Sequence, residues 1–384
     1  MTTQPPSNLD RVVTEGKARV EFPPRSYRVF YNPKMSLNRD LAMLFATSYF
    51  PVSRKLRVCD PTTASGIRAI RYALEVPNVS TVVAADRDTD AVELASKTVL
   101  LNKLSDKVAL VRSDANLLLR QVNERFDIVD LDPFGSPAPF FEPCLKATQD
   151  DGILAATATD MGPLSGARPA ACFRKYGVHS IRAECEKEIA VRILAGCLVN
   201  IAGRLELGVM MKFTHATDHY ARLYATVNKG RKAANESTRK LGFLEYCPTC
   251  LNRVTTLSLD SINTKCESCN SKVKVGGPIW LGPLWDTGTV ESMIQHAPII
   301  RSSRLSELQR ILACVREETE GCAFYFTTDT LAKITKTKPA SITWIINTLR
   351  SSGFLANRTH FNPTGFRTNA SAYEIGSMLR TFSA

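Results

Sequence analysis

No stretch of the 384 residues approaches ~18 consecutive apolar side chains, so the sequence offers no helix able to span a bilayer. The opening run Met1-Thr2-Thr3-Gln4-Pro5-Pro6-Ser7 lacks the basic-then-apolar order of a secretory signal and reads as a frayed terminus. Without an export signal, eleven cysteines point to reduced thiols or metal ligands and not to a disulfide framework, and the expected compartment is cytosolic. No internal repeat or low-complexity tract is present, which excludes a solenoid. A G-x-G-x-x-G turn is also missing, so a dinucleotide fingerprint is unsupported.

What is present is ordinary globular composition, 44% hydrophobic and 22% charged, with an excess of base: net charge +12. Such an excess favours a polyanionic partner, and its distribution sharpens that reading. Arg11, Lys17, Arg19, Arg25, Arg28, Lys34 and Arg39 crowd the N-terminal arm. Lys229, Arg231, Lys232, Arg239 and Lys240 bracket a polar stretch without period at 228–240, taken here as a domain boundary. Arg350, Arg358 and Arg367 add base near the end. The length suggests two or three domains, each able to bury a core.

From residue 56 onward, strands alternate with helices. Short apolar runs at 56–59, 81–85, 108–111, 128–131 and 153–158 read as strands, and helical spacing is expected near 38–49, 66–74, 88–102 and 183–202. Two longer strand-like runs follow, Leu207–Phe213 and Ala221–Val227. Strands separated by 10–15-residue helices imply parallel βαβ units, and a closing antiparallel pair gives the layout of a Rossmann-like methyltransferase.

The chemistry gathers where those strands end, since open α/β sheets bind ligands beyond the carboxyl ends of their strands. The turn Asp60-Pro61-Thr62-Thr63-Ala64-Ser65-Gly66 opens the first helix of the alternation, and its small residues let a ligand approach the positive helix N-terminus. Asp86 ends the next strand, where a carboxylate can accept from ribose hydroxyls; Asp114 ends the third, where it can accept from an adenine amine. Asp132 ends the fourth and leads into Pro133 and Phe134. A carboxylate, a proline that leaves carbonyls free to accept, and an aromatic ring together suit a planar group with an exocyclic amine. The run looks like the catalytic loop of amino-methyltransferases. Acids at four successive strand ends describe a nucleotide-like cofactor site.

Cys247-Pro248-Thr249-Cys250 and Cys266-Glu267-Ser268-Cys269 carry the double C-x-x-C spacing of a tetrahedral structural zinc ribbon. Cys59, Cys144, Cys172, Cys185, Cys197, Cys314 and Cys322 stand singly in apolar surroundings and are expected in the core. His215 and His219, flanking Asp218, read as a hydrogen-bonded structural pair in the link between two strands. Near the end, helices over 328–337 and 340–351 followed by a strand and a wing resemble a winged helix.

Several segments, in order, are similar to those of the tRNA guanine-26 N2-dimethyltransferases: Val29–Asp40, Ala64–Arg68, Asp114–Asn116, Asp130–Pro137, Thr157–Asp160, Asp218–Tyr220, Gly282–Trp285 and Arg358–Gly365. The resemblance implies that Phe30, Arg39, Arg68, Asp86, Asp114 and Ala115 bind S-adenosylmethionine and that Asp132 is catalytic with Pro133 and Phe134. Cys247, Cys250, Cys266 and Cys269 would hold a structural Zn2+. One departure is Pro61-Thr62-Thr63, where Ala-Leu-Ser is expected after the aspartate. The expected architecture is α/β: a class I methyltransferase domain with its arm over 1–238, then an α+β tRNA-binding domain over 239–384. The latter holds a zinc ribbon at about 241–285 and a winged-helix-like region at about 304–384. The partner expected is tRNA, with no membrane and no obligate protein partner. An amino-methyltransferase acting on DNA adenine or on a glutamine amide, and a non-enzymatic RNA-binding scaffold, stay open as alternatives at this level.

Overall fold

The structure, a computed structural model, describes residues 12–21, 29, 31–217 and 219–383, with side chains through Arg380. Arg11, Arg25, Arg28, Phe30 and Asp218 lie outside the described residues. The chain forms two compact units, neither continuous in sequence. The first comprises residues up to Asp132, with Glu142–Ala155 and Ser292–Gln309; the second comprises Pro133–Phe141, Ala156–Glu291 and Arg310 onward.

In chain order the elements begin with the hairpin β1 (Val12–Glu15) and β2 (Ala18–Glu21), then α1 (Ser36–Tyr49), β3 (Leu56–Asp60), α2 (Ile67–Glu75), β4 (Val79–Asp86) and α3 (Thr89–Leu101). Next come β5 (Val108–Arg112), α4 (Ala115–Gln121), β6 (Phe126–Leu131), α5 (Phe141–Ala147) and β7 (Thr148–Ala158). These bear out the alternation expected from the apolar runs. The sheet has the order β5-β4-β3-β6-β7-β9-β8, where β8 is Leu207–Thr217 and β9 is Tyr220–Lys229. β3 pairs in parallel with β4 (Val58 opposite Val82) and with β6 (Val58 opposite Ile128), so the strand order reverses beside β3. That reversal opens the crevice in which α/β sheets hold ligands. The closing pair β8–β9 is antiparallel, as expected.

A buried ion network holds the hairpin of the first unit to its helices. Arg71 on α2 has no solvent exposure and reaches Glu15 at 3.0 Å, Asp40 at 2.6 Å and Glu75 at 2.8 Å. Arg39 on α1 takes both oxygens of Glu15 at 2.6 Å, and the Tyr31 hydroxyl donates to the same carboxylate. Burial works to raise Glu15, but the guanidiniums of Arg39 and Arg71 prevail and hold it below the usual carboxylate range. At Asp40 burial outweighs Arg71 and the pKa rises. The hairpin turn needs Gly16, at φ +60°, because a Cβ there would fall 2.2 Å from Glu75 Oε1. From Ser292–Gln309, Ser302 donates to Asp40 and Arg304 donates to the Lys34 carbonyl.

The second unit continues with α6 (Met161–Leu164), α7 (Pro169–Tyr176), the buried α8 (Glu186–Arg204), β8, β9 and α9 (Arg231–Thr238). The stretch 228–240, read as aperiodic, thus contains a helix: its buried residues are the small Ala234 and Ser237, so no large apolar period marks it. A three-stranded ribbon follows in the order β11-β10-β12, with β10 Leu241–Tyr246, β11 Arg253–Thr256 and β12 Lys274–Trp280. Then come α10 (Thr287–His296), α11 (Leu305–Glu318), β13 (Phe326–Thr327), α12 (Thr328–Thr335), α13 (Ile342–Ser351), β14 (Ala356–Arg358), β15 (Gly365–Thr368) and α14 (Ala372–Ser383). The small sheet β13-β15-β14 with α12 and α13 has the winged-helix arrangement, and Leu331, Ile345, Ile346 and Leu349 are buried in it.

Two expectations need correction. Arg367 is no RNA contact: it is 2% exposed and bridges Glu188 at 2.9 Å and Glu318 at 2.7 Å. Glu318 also takes His360 Nδ1 at 2.5 Å, and burial, working to raise it, loses to His360 and Arg367, leaving its pKa at about 2. His215 lies inside β8, 3.5 Å from the Tyr220 hydroxyl, whereas His219 is exposed in the turn, so the two are not a pair. Cys59, Cys144, Cys172, Cys185 and Cys197 are buried as expected; Cys314 and Cys322 are half-buried.

Replacing Arg71 with alanine leaves Glu15, Asp40 and Glu75 buried beside a void. The expected loss is about 3–5 kcal/mol of stability, read as a fall in the urea midpoint of the full chain.

Candidate active site and metal centre

The carboxyl ends of β3, β4, β5 and β6 carry Asp60, Asp86, Asp114 and Asp132 into successive loops. The loops are stitched together by backbone bonds: Thr63 N–H donates to Ala85 O at 2.8 Å and Ser113 N–H to Asp86 O at 3.0 Å. Asp86 accepts from Ala64 N–H through Oδ2 and from Asp88 N–H through Oδ1, both at 3.0 Å. Asp114 caps α4, accepting from Asn116 N–H at 2.9 Å, and Ala115 is buried as the first residue of that helix. The residue before α2 is Gly66, at φ +79°, with no side chain to cap the helix N-terminus. A Cβ there would press to 3.0 Å from Ala95 Cβ, so the tight turn admits only glycine without displacement.

Arg68 organises the β3 and β6 ends. It is 3% exposed and donates to Asn38 Oδ1 at 2.9 Å, to Asp130 Oδ2 at 3.2 Å and to Asp132 Oδ2. Tyr72, one turn further along α2, donates its hydroxyl to the same Asp130 oxygen at 2.8 Å. Thr62 Oγ1 accepts the Asp132 N–H at 3.2 Å, and Thr63 Oγ1 donates to Asp60 Oδ2 at 2.8 Å. The departure Pro61-Thr62-Thr63 therefore makes contacts of its own, one of them to the backbone of Asp132. Among the described residues the buried Asp60 Oδ1 has no partner. Burial, with Asp130 and Asp132 adding to it against Arg68, pushes Asp60 up to about 7.

Beyond Asp132 the chain runs through buried Pro133 to Phe134, which is 80% exposed. Gly135 is pinned to the end of β7: its N–H donates to Thr159 Oγ1 at 2.8 Å and its carbonyl accepts from Thr159 N–H at 2.9 Å.

Of the residues singled out in the sequence, Arg68 and Asp132 meet directly, and Asp86, Asp114 and Ala115 stand at adjoining strand ends. Arg39 is tied to Glu15 and to the Asn32 carbonyl. Asn38, Tyr72 and Asp130 were missed as site residues, while Asp60 and Thr62 were read only as part of the cofactor turn. Only the i,i+4 spacing of Arg68 and Tyr72 could have flagged that both reach one acceptor.

In the second unit the Sγ atoms of Cys247, Cys250, Cys266 and Cys269 lie within 4.8 Å of one another, as the double spacing required. Tetrahedral zinc with Zn–S bonds of ~2.3 Å sets sulfurs about 3.8 Å apart, so the cluster fits that ion and leaves no position for water. Two matching turns present the thiols. Leu251 N–H bonds to Cys247 O and Asn270 N–H to Cys266 O, with Leu251 and Asn270 both in the left-handed region at φ 62° and 58°. The Ser271 hydroxyl and N–H pull the Cys269 thiol down to about 6, whereas burial pushes the Cys247 and Cys250 thiols up.

A sheet that reverses beside β3, with acids at four strand ends and a Pro-aromatic loop after the last, defines a Rossmann-like methyltransferase, here joined to a zinc ribbon and a winged helix. A family model described as N2,N2-dimethylguanosine tRNA methyltransferase matches residues 10–380, and the chain belongs to that family. It is 32% identical over 381 residues to the tRNA (guanine(26)-N(2))-dimethyltransferase of Methanobrevibacter smithii, covering 97% of this chain and 98% of that one. It is 34% identical over 376 residues to the tRNA (guanine(26)-N(2)/guanine(27)-N(2))-dimethyltransferase of Aquifex aeolicus, covering 95% and 94%. Among solved structures, Trm1 from Pyrococcus horikoshii in complex with S-adenosyl-L-methionine superposes with a TM-score of 0.87 at 32% identity, covering 96% of this chain and 99% of that one.

The Asp60 carboxyl sets a pH dependence. In the unfolded chain it ionises near 3.8, in the fold near 7, so the unfolded state releases its proton first as pH rises. Stability therefore falls between about pH 4 and pH 7 and stays level above. Asp60→Asn is expected to raise the melting temperature by a few degrees at pH 8 and not at pH 4. For the cysteine cluster, elemental analysis is expected to find one zinc per wild-type chain and markedly less in Cys247→Ser, with a lower melting temperature in the variant.

Proposed function

We propose that this protein transfers one or two methyl groups from S-adenosylmethionine to the exocyclic N2 of guanine 26 in tRNA, in the cytoplasm. The observation that carries the reading is Asp132, gripped by Arg68 at the end of β6 and followed by buried Pro133 and exposed Phe134. On this reading Asp86 meets the ribose hydroxyls of the cofactor, Asp114 and Ala115 face its adenine, and the uncapped α2 N-terminus receives its carboxylate. The orphan Asp60 Oδ1 fits a donor on the same ligand. Phe30, Arg39 and Arg68 complete the proposed cofactor set, Arg68 also acting by positioning Asp132.

The cofactor supplies a methyl group already activated on a sulfonium, so what the protein adds is alignment and a dry pocket. Guanine N2 is a weak nucleophile because its lone pair is delocalised into the ring. Asp132 accepts a hydrogen bond from the amine, orients it, and takes the proton released as the new N–C bond forms. Arg68 keeps that carboxylate in place. Phe134 stacks on the base, which must first leave its own stack at a cost of a few kcal/mol. The proposed division of labour assigns cofactor and catalysis to residues 1–238 and tRNA holding to 239–384.

Nucleoside analysis of unmodified tRNA after incubation with enzyme and labelled S-adenosylmethionine is expected to show N2-methylated and N2,N2-dimethylated guanosine at position 26. Asp132→Asn is expected to lower the single-turnover rate by about 10²–10⁴-fold while leaving cofactor affinity within a few-fold of wild type. Undiminished turnover in that variant overturns the assigned role.

A further inference from the structure

The catalytic loop is joined to a surface that the reaction has not used. From Met161 to Ala183 the sequence has no acidic residue and carries Arg168, Arg174, Lys175 and Arg182, all exposed. In the middle of this stretch, on α7, Phe173 is 52% exposed, although a large apolar ring is usually buried. It stacks on the exposed His179 ring, centroids 4.6 Å apart and planes inclined by 30°. His179 is fixed from below by a two-way backbone bridge to Gly277 on β12, His179 N–H to Gly277 O at 3.0 Å and the reverse at 2.9 Å. The result is an exposed aromatic pair within a stretch that also carries exposed arginines.

Its position relative to the catalytic loop follows from a short run of bonds inside the second unit. Thr159 holds Gly135, the residue after Phe134. Its neighbour Asp160 accepts from the Tyr176 hydroxyl at 2.5 Å and from Lys175 Nζ at 2.7 Å. The loop bearing Phe134 and the helix bearing Phe173 are therefore tied through Thr159–Asp160. Lys175 is neutralised by Asp160, which leaves Arg168, Arg174 and Arg182 as the charges offered outward.

We infer that the Phe173–His179 pair and its surrounding arginines form a second nucleotide site, which stacks an unpaired base flanking the target and binds the adjoining phosphates of the same RNA strand. This rests on the tRNA reading above and adds to the tRNA-holding residues 239–384 a contact point that lies within residues 1–238. Base–aromatic stacking tolerates any base, and guanidiniums around the ring meet phosphate oxygens, so the site would hold the strand in place without reading its sequence. A basic stretch that carries no acid of its own suits a polyanion better than a basic protein partner.

The test uses the full chain and three variants, Phe173→Ala, Phe173→Trp and Arg174→Ala/Arg182→Ala, with S-adenosylmethionine titration as a check on the intact cofactor site. Filter binding of unmodified tRNA is expected to weaken about tenfold in Phe173→Ala and to be kept in Phe173→Trp, which still stacks. In the arginine pair the slope of log affinity against log salt is expected to flatten by about two. Single-turnover methylation at saturating tRNA should stay near wild type in all three, so that the Michaelis constant moves and the rate at saturation does not. Unchanged affinity and salt slope in both Phe173→Ala and the arginine pair overturn the site. If wild-type protein binds tRNA through this surface but never methylates it, the nucleotide site stands and the proposed reaction falls.

Discussion

Arg68 carries its positive charge among Asp60, Asp130 and Asp132, and the polar groups at the β3 and β6 ends are placed with reference to it. A guanidinium with a rigid fork can serve two carboxylates and an amide at once, as an ammonium could not. Asn38 and Tyr72 complete the arrangement by fixing Arg68 and Asp130 from α1 and α2. Asp60, deprived of a full share of that charge, is the group that gives way and keeps its proton near neutrality. The Asp132 carboxylate is thus a member of a set held by one guanidinium.

The second unit repeats the device. Arg367 stands between Glu188 and Glu318, Arg192 pairs with Glu188 at 2.9 Å, and His360 closes on Glu318. Buried ion groups of this kind add little net stability over a hydrophobic core, but removing one member is costly because the others stay buried. Their effect is to specify one arrangement. In the first unit the Glu15–Arg39–Arg71 network does this for the hairpin, and in the second Arg367 joins the winged helix to α8.

Much of this was legible in the sequence. The alternation of strands and helices, the acids at strand ends and the cysteine spacing are local patterns, and local patterns survive without tertiary information. The partners of Arg39, Arg71 and Arg367 were not legible, since a charged residue carries no mark of whether it will be buried, and its partners lie as far as 179 positions away. Arg367 was read as an RNA contact for that reason, although every residue of the short strand β15 proves buried. Helix α9 escaped notice because it packs by small residues: Gly208 lies so close to Ala233 that a Cβ there would fall 2.5 Å from its carbonyl carbon, and Gly203 is similarly close to Thr238. Close backbone approach leaves no apolar period to find.

The discontinuity of the first unit bears on how the chain acquires its shape during synthesis. Residues 292–309 belong to that unit, where Ser302 donates to Asp40 and Arg304 to the Lys34 carbonyl. A nascent chain that has left the ribosome only through Ala155 already holds β1 to β6 and most of β7, yet lacks this strap. Completion of the unit must wait for the translation of well over a hundred further residues, including the cysteine-bearing ribbon. Domains usually fold as they emerge from the N-terminus. Here the last contacts of the first unit close only after most of the second has been made.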